Sequence, residues 1–266
     1  MLRSTVPWQM ESTIEGKGTS KQAVLQTEGL SKNFGGLKAV NRVSVKVETG
    51  VHSIIGPNGA GKTTLFNLLT GFLKPEAGKI FYLGRDITDL PPYEISKLGM
   101  ARSFQITSIF PELTVYENVR LAVQSRLKAS CNFLISHQSL KGVDHKTQKV
   151  LREVGLTREG EMKAKNLSYG LQRCLDIGIS LATEPKLVLL DEPTSGLSQE
   201  DTHRIIHLVS DISKNVPVLL IEHNIDVVLS ISDRITVMYQ GGILAEGPPS
   251  EITTNQKVQE AYLGGD

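Results

Sequence analysis

The sequence predicts an α/β fold built on a mostly parallel sheet with crossover helices, and three observations carry that reading. Two continuous apolar runs, Leu187–Leu190 and Val216–Ile221, lack the alternation of a half-exposed strand, so both of their faces are covered. Between them lies a helical pattern with Ile205, Leu208, Val209 and Ile212 on one face, as a crossover between parallel strands requires. A third apolar run, Val51–Ile55, passes directly into Gly56, after which Leu65, Leu68, Leu69 and Phe72 recur at helical spacing.

The remaining segments follow in order. Residues 1–24 are polar, with Gly16, Gly18 and scattered Lys and Glu, and read as a flexible N-terminal extension. Val40, Val43, Val45 and Val47 suggest strand after a turn at Gly35–Gly36. The helix that follows Gly56 ends near Gly71 and Pro75. Pro91–Pro92 opens a stretch of helical patterns running to about residue 180, where Leu171, Leu175, Ile179 and Ala182 mark one face. Ile235–Met238 and Gly242–Ala245 form a closing hairpin through Gly241–Gly242.

A chain of 266 residues suits one large domain or two intimate lobes. Hydrophobic residues at 39% supply a core, and 21% charge is too little for a disordered chain. Lys plus Arg number 29 against 28 Asp plus Glu, which gives no basic excess for non-specific nucleic-acid or anionic-membrane binding. The cysteines, Cys131 and Cys174, are too few for a disulfide scaffold and fit a reducing cytosol. No run approaches the ~20 apolar residues of a membrane helix, and Met1–Ala23 holds no apolar stretch that would act as a secretory signal. A soluble cytoplasmic protein is therefore expected, reaching any membrane through a partner.

Gly56-Pro57-Asn58-Gly59-Ala60-Gly61-Lys62-Thr63 matches G-x-x-x-x-G-K-[ST] in the setting of strand before and helix after, with Thr64 in the same phosphate-binding turn. Glycines let backbone N–H groups wrap around phosphate oxygens, and the helix start adds its orphan N–H groups and positive dipole end. Lys62 supplies a positive charge to the β and γ phosphates and Thr63 a hydroxyl for Mg²⁺. Leu187-Val188-Leu189-Leu190-Asp191-Glu192 is the expected partner, an apolar strand lifting carboxylates to the edge where α/β ligands bind. Asp191 would hold Mg²⁺, and Glu192 would orient or deprotonate the water that attacks the γ phosphate. His203 and His207 lie four apart on a helix, but Arg204 stands where H-E-x-x-H has Glu, so a solvated face is the reading there. Cys174 reads as a small packing residue.

Further segments carry a family resemblance. Leu167-Ser168-Tyr169-Gly170 resembles the signature segment of ATP-binding cassette (ABC) proteins, L-S-G-G-Q. Gln105, in Ala101-Arg102-Ser103-Phe104-Gln105, resembles the Q-loop glutamine; His223, in Leu219-Leu220-Ile221-Glu222-His223, resembles the switch histidine; Phe34 resembles the aromatic that stacks on adenine. Ser195-Gly196-Leu197-Ser198 falls where the D-loop should be, and the ordered set covers about residues 26–250. Phe34-Gly35-Gly36-Leu37-Lys38-Ala39-Val40, the segments 110–119 and 221–228, and the tail Ala261–Asp266 are similar to ATP-binding subunits of branched-chain amino acid uptake transporters. The sequence departs from the family at Leu171, where Gln or Glu is usual, and at Ser198, where Asp is common; residues 123–149 match no feature.

The resemblance implies a P-loop ABC ATPase core with a mixed sheet, an antiparallel β subdomain and a helical signature lobe. The core would span about 25–90 and 183–250, the lobe about 91–182, and a C-terminal tail 251–266. It implies ATP hydrolysis with Mg²⁺, Gln105 touching the metal or the attacking water, and a nucleotide lidded by Ser168, Tyr169 and Gly170 of a second ATPase subunit, sibling or self. It also implies two membrane-spanning permease subunits, an indirect link to an extracytoplasmic solute-binding protein, no nucleic-acid partner, and a place on the inner face of the cell membrane. Related subunits serving urea or amide import or lipopolysaccharide export, a soluble non-transport ABC ATPase, and a P-loop kinase are the alternatives; the kinase leaves Leu167–Gly170 and His223 unexplained.

Overall fold

A computed structural model of the chain describes residues 23–103, 109–126 and 137–263. The extension read at 1–24 lies outside the described residues up to residue 22, as does Gln105. The described residues open with a long strand, β1 (Leu25–Phe34), which turns at Gly35–Gly36 into β2 (Leu37–Val43); β3 (Lys46–Val47) follows. Then come β4 (Val51–Ile55), the phosphate-loop motif and α1 (Lys62–Leu69). Next are the hairpin β5 (Ala77–Tyr82) and β6 (Arg85–Asp86), α2 (Pro92–Lys97) and β7 (Met100–Arg102). A helical section holds α3 (Val115–Ser125), α4 (His137–Glu153) and α5 (Tyr169–Ala182). The C-terminal third alternates β8 (Leu187–Asp191), α6 (Gln199–Ser213), β9 (Val218–Ile221), α7 (Ile225–Ile231), β10 (Arg234–Tyr239) and β11 (Gly242–Gly247), then ends in α8 (Pro249–Thr254) and α9 (Gln256–Leu263).

These strands form two sheets. The smaller is antiparallel, ordered β2-β1-β5-β6 with β3 also on β1. The larger is ordered β11-β10-β4-β9-β8-β7, parallel throughout except for the antiparallel β10–β11 hairpin. The mixed sheet, antiparallel subdomain and helical lobe expected from the sequence are all present.

Continuous apolarity in the central strands is explained by two cores. In β8, Val188 and Leu190 face the core built by α3 to α6, while Leu187 and Leu189 face the core shared by α1 and the antiparallel sheet. All of β4, β8 and β9 is buried. Fully burying each such aliphatic side chain contributes about 1.5–3 kcal/mol before chain entropy is charged against it.

Two sequence boundaries differ in the structure. Met100–Arg102, inside the stretch read as helical, is the edge strand of the main sheet, paired in parallel with β8. Three residues are too few to show a period. The stretch 251–266, read as a tail, includes most of α8 and α9, and Ile252 and Val258 pack with Ile55, Val228, Ile235 and Val237. Among the described residues no helix is long and apolar enough to cross a membrane.

Register fixes where the chemistry emerges. Ile54 pairs with Ile221, and Ile221 with Asp191, so the carboxyl ends of β4, β9 and β8 are level. The next residues of these strands open the phosphate loop at Gly56 and carry Glu192 and Glu222–His223 onto one edge. That edge is the ligand-binding edge of an open α/β sheet.

Candidate functional site

The phosphate loop is built by close backbone approach. Gly56 and Gly61 lack the Cβ atoms that would collide with the carbonyl of Met238 in β10 and that of Ala39 in β2 respectively. Gly61 also holds φ +101, a conformation side chains resist. At Gly59, by contrast, an added Cβ would meet nothing within 4 Å. Lys62 is 7% exposed and folds back on the loop, its Nζ donating to the Gly56 carbonyl at 2.6 Å and the Pro57 carbonyl at 3.1 Å. Burial pushes its ammonium below the ordinary lysine value, while the charges of Glu192 and Asp191 pull it back up. Thr63 is exposed and Thr64 half-buried in the first turn of α1.

Asp191 ends β8, buried, with its Oδ2 2.8 Å from Nη2 of Arg102 at the end of β7. Nη1 of the same guanidinium donates to Asn67 Oδ1 at 2.7 Å and Thr70 Oγ1 at 3.1 Å, tying the carboxylate to the far end of α1. The rings of Phe66 and Phe72 flank it at 5.5 and 5.9 Å. This pairing was invisible to sequence reasoning, because an arginine 89 positions away reads as surface.

Glu192 follows with φ +49, an unusual backbone for a non-glycine residue, and its N–H donates to the Ile221 carbonyl at 2.9 Å. His223 Nδ1 stands 3.8 Å from Glu192 Oε2. Lys62, Asp191, Glu192 and His223 are thus brought together on one edge. Phe34 ends β1, half-exposed, with Lys32 Nζ 5.8 Å from its ring centroid, and presents an aromatic face.

The signature segment is not part of that cluster. Ser168 caps α5, its hydroxyl accepting from Leu171 N–H at 3.4 Å. A Cβ on Gly170 would strike the Asp201 carboxylate of α6, and Tyr169 is half-exposed with its ring against Gly196. Leu171, the apolar fifth signature position, packs on the core of the helical lobe. Ser198 caps α6, accepting from Asp201 N–H at 3.2 Å, a local task that suits serine as well as aspartate. His203 and His207 are exposed, and Cys174 is buried with its thiol pushed up to about 11 by that burial.

The oxygen donors offered by Thr63 and Asp191 suit a hard cation such as Mg²⁺. Among the described residues no group of three or more His, Cys, Asp or Glu converges on a metal site. Mg²⁺ typically takes only one or two protein carboxylates and completes its shell with phosphate and water, so this sparse set fits it.

Comparisons with known proteins place the chain in a family. A family model described as ABC transporter matches residues 40–195, and one described as branched-chain amino acid ATP-binding cassette transporter matches residues 243–266. The chain is 41% identical over 251 residues to the high-affinity branched-chain amino acid transport ATP-binding protein LivG of Salmonella typhimurium, covering 91% of this chain and 98% of that protein. It is 42% identical over 251 residues to the corresponding protein BraF of Pseudomonas aeruginosa, with 91% and 98% covered. Among solved structures, an ATP-binding cassette of an ABC transporter in its ADP conformation superimposes with a TM-score of 0.79 at 34% identity, covering 91% of this chain and 99% of that one.

Proposed function

The chain belongs to the ATP-binding cassette transporter family, and from that premise we propose that it is the subunit that hydrolyses ATP to drive uptake of branched-chain amino acids through a membrane transporter. The observation that carries the reading is the convergence of Lys62, Asp191, Glu192 and His223 beside an open phosphate loop, level along three buried strands.

Phosphoryl transfer asks chiefly for positioning and charge compensation. The loop's backbone N–H groups, Pro57 having none, wrap the phosphates, and Lys62 exchanges its two carbonyl partners for β and γ phosphate oxygens. Thr63 and Asp191 hold Mg²⁺, which when bound neutralises charge on the phosphate oxygens. Glu192 orients the attacking water and takes its proton, with His223 beside its carboxylate. Gln105, outside the described residues, is assigned to the same water or metal. Phe34 stacks on adenine.

One chain leaves the opposite face of the nucleotide open. Ser168, Tyr169 and Gly170 of a second ATPase subunit close it, the start of α5 aiming N–H groups at the γ phosphate. ATP then favours the closed pair only through its higher affinity for it, and hydrolysis releases that preference. The work passes to two permease subunits on the inner face of the membrane, which receive cargo from a solute-binding protein. A cleft of about 340 Å³ lined by Phe72, Tyr93, Ile95, Met100, Arg102 and Ile179 gives such a partner an apolar seat.

Reconstitution in vesicles with the membrane subunits that co-purify with this chain, and a solute-binding protein, tests the whole reading. Leucine uptake that depends on this chain, and on ATP, is the expected result; uptake of urea instead, or none with full ATPase activity, overturns the assignment of cargo.

A further inference from the structure

Glu222 has no exposed surface. Its Oε1 accepts the Thr194 N–H at 2.9 Å and the Thr194 hydroxyl at 2.6 Å, and its Oε2 accepts the N–H of His223 at 3.2 Å. Burying a carboxylate is costly, and here the three donors that it accepts offset that cost, donors that an apolar side chain of similar size would leave unsatisfied. What the carboxylate ties down is the turn that carries Glu192.

Thr194 lies two residues after Glu192, in the turn that leads into α6. Glu192 sits at φ +49, a strained conformation that persists only where the surroundings over-determine it. The end of β9 supplies that constraint from two sides. The Ile221 carbonyl takes the Glu192 N–H at 2.9 Å, and the next residue, Glu222, takes both donors of Thr194. The residue after that, His223, stands 3.8 Å from the Glu192 carboxylate. Two consecutive residues of one strand end thus hydrogen-bond to the turn at and after Glu192, and the third stands beside its carboxylate.

We propose that Glu222 is a positioning residue for ATP hydrolysis: its buried carboxylate locks the 192–194 turn and thereby fixes Glu192 in register with His223. The proposal rests on the ATPase reading above. It assigns Glu222 no contact with nucleotide.

The test is Glu222→Gln, which keeps shape but sets an amide N–H₂ against one of the donors. Turnover at saturating MgATP should fall about tenfold or more, with KM for ATP within about twofold, because Lys62 and the phosphate loop are untouched. The melting temperature should stay near that of the parent chain. Hydrogen exchange at the Thr194 and His223 amides should quicken while exchange in α1 does not. Thr194→Val, which removes only the hydroxyl donor, should act in the same direction, and the double variant should be no worse than Glu222→Gln alone. Unchanged turnover in Glu222→Gln, losses that multiply independently in the double variant, or a fall in kcat and stability together with a large rise in KM would each overturn it. No turnover in the parent chain overturns the ATPase reading instead; normal parental turnover with unaltered exchange at Thr194 overturns this proposal alone.

Discussion

The phosphate loop and the signature turn are both backbone N–H presenters at the start of a helix, yet they are finished to different degrees. The loop is held from every side but one: Gly56 against Met238, Gly61 against Ala39, and Lys62 folded onto its own carbonyls. The signature turn is capped by its own Ser168, receives Gln172 Nε2 on the Leu167 carbonyl, carries a half-exposed Tyr169, and rests on Asp201 of the neighbouring helix. One is a complete half of a site. On the proposed function the other completes the site of a second ATPase subunit, sibling or self, and the contrast supports that pairing.

Substitutions on the two sides should therefore separate binding, turnover and pairing. The largest effect is expected for Glu192→Gln, which removes the proton acceptor while leaving the loop intact: turnover down about 10²–10⁴-fold with ATP still bound and a closed pair accumulating in size-exclusion chromatography. Lys62→Ala comes next. Losing a buried ammonium from the phosphates should raise the Kd for MgATP about 100-fold, seen by titration calorimetry, and wild-type affinity would remove Lys62 from its role.

Acid should strike the loop's side of the comparison. His52, four residues before the loop in β4, is buried with its Nε2 2.8 Å from Thr236 Oγ1, and burial lowers its pKa to about 4, Glu246 opposing the shift. The folded chain thus refuses a proton that the unfolded chain accepts below about pH 6.5. Its contribution is complete above that pH and drains away as pH falls toward 4, by up to about 3 kcal/mol. Urea midpoints measured between pH 7 and 5 should decline, and His52→Gln should flatten that slope.

The smallest effect is expected on the open side. Gly170→Ala drives a methyl into the Asp201 carboxylate, which Ser198 and Arg204 also hold, so melting should drop by a few degrees. Closure over a partner's nucleotide should weaken, costing a few-fold in turnover at low protein concentration and less at high. A loss that ignores concentration would break the comparison between the two turns.

Sequence made much of this legible where information is local. The phosphate loop occupies consecutive positions, and the Leu187–Asp191 run announces a buried strand ending in a carboxylate. Pairings across the chain were not legible. Arg102 meets Asp191 only because a three-residue edge strand is laid beside β8, and Glu222 shows its role only once the donors of Thr194 are placed against it. β1 was missed because Gln26, Glu28 and Ser31 interrupt its apolar residues along a bulged strand. Short helices such as α8, with Pro249 in the first turn, offer too few residues for a period to show.

The contacts of Gly56 and Gly61 have a mechanical consequence. One glycine lies against the large sheet through Met238 and the other against the small sheet through Ala39, so the cradle is also the seam where the two halves of the molecule are stitched. Whatever fills it braces both sheets at once, and by mass action the fuel that powers the machine also stiffens its frame. Each spent nucleotide that departs leaves the seam slack.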